Sequence, residues 1–142
     1  MRIFSIAGLA ALALALPAAA YAGPVTVDLS GLREGGTLYV QVQTRAQFRG
    51  QERTAGRIIQ APHAGSLSVD LGEVPAAEYA VTIWHDDNGN HQFDLDPRTG
   101  APLDGWAIAH PEGLQGPPTF ERASVAIPAA GAHVPLTVHY GR

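Results

Sequence analysis

The stretch "TLYVQVQ", Thr37–Gln43, decides the fold. Leu38, Val40 and Val42 fall on one side of it, and Tyr39, Gln41 and Gln43 on the other. A period of two is that of a strand with one face buried and one wet. The same alternation recurs outward from it. "VTVDL" (Val25–Leu29) precedes it, and "SLSVDL" sends Leu67, Val69 and Leu71 to one side. "EYAVTIW" does so with Tyr79, Val81 and Ile83, "ASVAI" with Ala123, Val125 and Ile127, and "HVPLTVHY" with Val134, Leu136, Val138 and Tyr140. Gly, Pro and Asn-Gly bound most of these runs. Seven or eight short strands spaced in this way predict an all-β fold, an antiparallel β-sandwich of immunoglobulin-like or transthyretin-like type. Helix signals are weak. In "TRAQFRGQERTAGR", Arg45, Arg49, Arg53 and Arg57 recur every fourth residue, but Gly50 and Gly56 interrupt them. A loop with one helical turn is expected there.

The first residues read as a leader. Met1-Arg2 is a short basic start, "IFSIAGLAALALAL" is an apolar core, Pro17 breaks it, and "AYA" supplies small residues before a cut after Ala22. The apolar run is shorter than the about 20 residues that a membrane-spanning helix needs. The reading is a signal peptide over 1–22 and a single domain over 23–142, exported to the periplasm or secreted. No other segment resembles a membrane span.

The chain has 142 residues and no cysteine, so the domain folds without disulfides. Its net charge of −4 is unevenly spread. Arg33–Arg57 holds five Arg against two Glu, whereas Asp86–Asp104 holds five Asp against one Arg. That pattern lacks the dominant basic field of a nucleic-acid binder. All basic residues are arginine, which reads as compositional bias. An envelope protein or glycan is the expected class of partner.

After "TIW" the pattern changes to "HDDNGNHQFDLDPRTG". Asp86, Asn88 and Asn90 stand at alternate positions, as in loops that gather oxygen ligands round calcium. Gln92 would serve through its carbonyl, Asp94 follows, and Asp96 or Asp104 would replace the carboxylate that Pro97 lacks. His91 stands where such loops carry Gly. The other reading is a two-residue type I′ hairpin at Asn88-Gly89. It would set Asp87 opposite Asn90, Asp86 opposite His91 and Trp84 opposite Phe93 as an aromatic pair. Both readings stay open on the sequence.

The segment "EYAVTIWHDDNGNHQFDLDPRTGAPLDGWAIA" resembles the bacterial family named domain of unknown function 2141. The resemblance rests on Tyr79-Ala80, His85, Asp86, Asn88, Asn90, Asp94, Gly100, Pro102 and Gly105-Trp106, with Pro118 and Phe120 downstream. It departs from the family pattern at Ala77, His91 and Asp104. It implies export and a small β-sandwich, and no established activity.

A catalytic centre is not legible. No serine sits in a nucleophile elbow, and there is no cysteine. His85 and His91 flank the acidic loop and, with Asp86, would be the ligands of a metal-dependent hydrolase, the least favoured reading. Two further groups are candidates for ligand binding. Trp84, Trp106, Tyr39 and Tyr79 would form an aromatic sugar platform if several share an outer face, and Arg45 and Arg49, with Arg53 and Arg57, would hold an anion. The sequence thus points to a non-enzymatic binding or scaffolding module, with calcium as the expected cofactor if the loop takes one.

Overall fold

A computed structural model describes residues 21–141. The expected signal peptide lies outside them except for Tyr21 and Ala22. Eight strands and one short helix follow in order: β1 (Ala22–Leu32), β2 (Thr37–Gln43), β3 (Ala55–Gln60), β4 (Gly65–Pro75), β5 (Ala77–Asp86), β6 (Gly105–Ala107), α1 (Phe120–Ala123), β7 (Ser124–Ile127) and β8 (Ala132–Thr137). They form two sheets, β4-β1-β8 and β3-β2-β5-β6, with β7 also paired to β5. The result is a β-sandwich. Its pairs are antiparallel except for β1 with β8, which run parallel. A parallel pair needs a long connection between its strands. Here nearly the whole domain supplies it.

Alternation explains the core. Val25, Val27 and Leu29 of β1, Val69 and Leu71 of β4, and Val134 and Leu136 of β8 face Leu38, Val40 and Val42 of β2 and Val81 and Ile83 of β5. Every one of these is buried. Each such side chain contributes about 1.5–3 kcal/mol by leaving water. Cutting Leu38 back to alanine would cost about 2–5 kcal/mol.

Two segments differ from the sequence expectation. The arginine-rich stretch gives one turn, in which Phe48 N–H donates to the Thr44 carbonyl at 2.9 Å, and then an edge strand, β3. That strand has no alternation to read, since buried and exposed residues do not alternate along Ala55–Gln60. Ala123 closes a single turn, capped by Thr119, rather than opening a strand. That turn sits against the outer side of β5, where Phe120, Ala123 and Ile108 make a second small cluster with Ala80. Among the described residues no helix is long and apolar enough to cross a membrane.

Candidate functional site: an aromatic cleft walled by an acidic loop

β5 runs in the core until His85 and then meets two polar residues that are wholly buried. His85 and Asp86 are both 0% exposed. The Gly35 carbonyl accepts from His85 Nε2 at 2.7 Å, which fixes the proton there. Nδ1 then accepts from the Tyr140 hydroxyl at 2.5 Å, and that hydroxyl takes the Arg33 N–H at 3.0 Å. Gly105 leaves room for this packing, since a Cβ there would lie 2.5 Å from the Tyr140 ring. Both ring nitrogens of His85 are therefore engaged. His91 lies in the loop with its side chain 73% exposed. His85, His91 and Asp86 therefore do not form the metal-ligand set considered for a hydrolase.

Asp86 ends the strand. Its Oδ1 accepts from Gly89 N–H at 2.8 Å and Asn90 N–H at 3.2 Å, and its Oδ2 from His91 N–H at 2.9 Å. Those three amides cannot join a ladder, so the hairpin at Asn88-Gly89, one of the two readings of the sequence, does not form. His91 takes φ +60°, the left-handed conformation that suits glycine. Residues 87–104 instead make a loop. Asn88 Oδ1 accepts from Asn90 N–H, and Asn90 Oδ1 from Gln92 N–H, each two residues on. The side-chain amides of Asn88 and Asn90 both donate to Asp94 Oδ2, at 2.7 and 2.8 Å.

Of the six residues expected to hold calcium, Asn88, Asn90 and Asp94 thus meet at one point. Asp86 spends its oxygens on the loop backbone. Asp96 Oδ1 caps a separate turn through Arg98 and Thr99 N–H. Gln92 is exposed. Among the described residues no three His, Asp or Glu side chains are grouped to hold a metal ion.

Asp104 is the junction. It is 1% exposed, and its Oδ2 accepts from Trp84 Nε1–H at 2.8 Å and from Asp94 N–H at 3.2 Å. Burial pushes its carboxyl above the usual range, with the charges of Asp94 and Asp86 adding to the rise, while the Trp84 and Asp94 donors oppose it. Trp84 is tied by this bond to the outer face of the sheet.

That face carries an aromatic row. Ile58 of β3 pairs with Tyr39 of β2, Tyr39 with Trp84 of β5, Trp84 with Trp106 of β6, and Trp106 bridges to His139. Four strand steps of about 4.8 Å make the row ~19 Å long. Tyr39 and Trp84 stack with centroids 4.5 Å apart and planes 14° apart. Phe93, carried by the acidic loop, meets Trp84 edge-on at 6.2 Å. The expected Trp84–Phe93 contact exists, but across a loop and not across a hairpin.

Three segments rise round this floor and enclose a cleft of ≈ 970 Å³. Phe48–Gly50 stand on one side, Phe93 and Leu95 on another, and Leu114–Pro118 complete the rim. Of the residues expected to bind a ligand, Trp84, Trp106 and Arg49 line the cleft. Arg45 does not. Its guanidinium bonds Glu121 at 2.6 Å and lies over the Phe120 ring at 4.3 Å. Arg45 and Arg49 thus do not act at one site. Tyr39 joins the tryptophans on the outer face, as the platform reading expected, whereas Tyr79 is buried in the core. Phe48 and Phe93 escaped the sequence reading as site residues.

Neither the curated proteins nor the solved structures give a match to this chain. A family model does match it over residues 27–134, and on that span the chain belongs to the bacterial family described as "Uncharacterized protein conserved in bacteria (DUF2141)".

Proposed function

We propose that this chain is an exported, non-enzymatic binding module whose ligand is a small molecule with a flat apolar face, seated in the aromatic cleft. One observation supports the reading most directly. The row Ile58–Tyr39–Trp84–Trp106 occupies the outer side of a sheet, where polar residues normally stand. Its cleft lies at the upper end of the about 300–1,000 Å³ usual for small-molecule sites. The leader-like start supports a periplasmic or secreted location, where small metabolites and envelope glycans are both at hand.

Both tryptophans of the chain line the cleft, so intrinsic fluorescence reports on it directly. Titration against flat-ringed aromatic compounds and against neutral and acidic oligosaccharides should give a saturable change with at least one ring-faced compound. A flat response across both sets would discard the reading.

Calcium at the acidic loop is a second proposal, supported by the meeting of Asn88, Asn90 and Asp94. Turning the two amides over would aim their oxygens at the point where Asp94 Oδ2 now accepts. At ten times its dissociation constant such an ion would add about 1.4 kcal/mol. A melting temperature equal in millimolar calcium and in chelator would sink it.

A further inference from the structure

Resting on the cleft reading, we propose that the ligand is an amphipathic anion: an apolar ring body on the Tyr39–Trp84–Trp106 row and a carboxylate or sulfonate against the Arg49 guanidinium. Four observations lead there. Among the described residues that line the cleft, Arg49 is the only charged one. It makes no ion pair and no side-chain hydrogen bond within the described residues, whereas Arg33 pairs with Asp87, Arg45 with Glu121, and Arg122 bonds the Glu112 carbonyl.

The backbone at Arg49 is also held at φ +66°. That left-handed conformation costs an L-residue energy that glycine would avoid, and such positions gather at binding sites. The neighbouring acids do not oppose an anion from within the cleft. Asp94 is turned to the Asn88 and Asn90 amides, and Asp104 lies buried behind Trp84. Finally, the lining has few free polar groups. Gln43 spends its amide on three backbone carbonyls, which leaves Gln41, Thr82, Thr99 and Gln115, the Tyr39 hydroxyl and the Trp106 indole N–H as the neutral side-chain donors and acceptors. Every buried hydroxyl of a neutral sugar would need a partner among them. A ring with one charged group makes no such demand.

The test uses two dyes on one ring skeleton, 1-anilinonaphthalene-8-sulfonate and the uncharged N-phenyl-1-naphthylamine. Energy transfer from Trp84 and Trp106 reports dye bound to the domain, and the response to substitution at Arg49 assigns it to the cleft. The variant is Arg49→Gly, which suits the left-handed backbone and so keeps the fold. The expected result is transfer to both dyes in the wild type. In R49G the ratio of anionic to neutral affinity falls about tenfold, the size of one lost charge-assisted contact. An unchanged ratio overturns the anion inference and leaves the cleft standing. Absence of transfer to either dye overturns the cleft reading and this inference with it. Binding of a neutral oligosaccharide with both dyes silent would do the same to the amphipathic ligand.

Discussion

The two outer faces of this sandwich are built from strands of the same alternating kind, yet they do opposite things with the exposed positions. On the three-stranded sheet the outward residues are short and polar. Ser68 donates to Asp28 at 2.6 Å, His133 Nδ1 lies 2.9 Å from Asp28, and Ser30 meets Thr137 at 3.1 Å. They form a shallow, open surface. On the five-stranded sheet the outward residues include Tyr39, Trp84 and Trp106, and three loops rise round them. The difference teaches where function lies. A solvated polar face asks nothing of the loops beside it. An aromatic face must be partly covered, and here the cover is the acidic loop, anchored by Asp86 below and by Asp104 behind Trp84.

If that division is right, replacing the anchors should disturb the molecule and replacing the plain face should not. The largest effect is expected from Asp86→Ala. It strands three backbone N–H groups of which each loses a bond to a charged acceptor, and stability should fall by about 3 kcal/mol in urea unfolding. Loss of the Phe93 contact should show as altered near-ultraviolet dichroism from Trp84. Gly105→Ala comes next. Its Cβ would lie 2.8 Å from His85 Cβ and closer still to the Tyr140 ring, an overpacking that costs about 2 kcal/mol. A variant as stable as the wild type would mean that the His85–Tyr140 packing gives way easily.

The two faces should also titrate in opposite senses. Asp104 has its carboxyl raised, by burial first, so it adds stability below its unfolded value of 3.8 and loses that contribution as pH rises through the folded value. Asp104→Asn should flatten the stability curve in the window just above 3.8. Asp28 is lowered, chiefly by the Ser68 hydrogen bond and then by His133. Its contribution is present above 3.8 and disappears as pH falls through the lowered value. Asp28→Asn should therefore change the curve only on the acid side. The same sign for both variants would break the contrast.

Smaller still is His91→Gly. Glycine suits φ +60° there, and the variant should gain about 0.5–1 kcal/mol in melting experiments. Ser30→Ala, on the plain face, should stay within about 0.5 kcal/mol of the wild type.

Much of the fold was legible because its strands alternate. Leu38, Val40 and Val42 against Tyr39, Gln41 and Gln43 give both the core and the outer face of β2. The edge strand β3 was not legible, since Arg57, Ile58 and Ile59 mix polar and apolar residues without a period. The parallel β1–β8 pair was not legible either, because pairing between the chain's two ends leaves no local mark. The acidic loop was visible as a set of residues, but its state was not. Whether Asp86 faces an ion or its own backbone depends on three-dimensional closure that alternate spacing permits in both forms. The cleft was half visible. Trp84, Trp106, Tyr39 and Arg49 stood out by type. That Ile58, Tyr39, Trp84 and Trp106 stand side by side in one row depends on register, which spacing along the chain does not encode.

Amide chemical-shift mapping with 1-anilinonaphthalene-8-sulfonate tests most directly whether the aromatic row is a binding surface. The chain has two indole N–H signals, Trp84 and Trp106, one on each of two neighbouring strands of the row. Both should move on titration, with Tyr39, Phe93 and Arg49, while Asp28, Ser68 and Thr137 stay still. Shifts confined to the three-stranded face, or spread evenly over both faces, would contradict it.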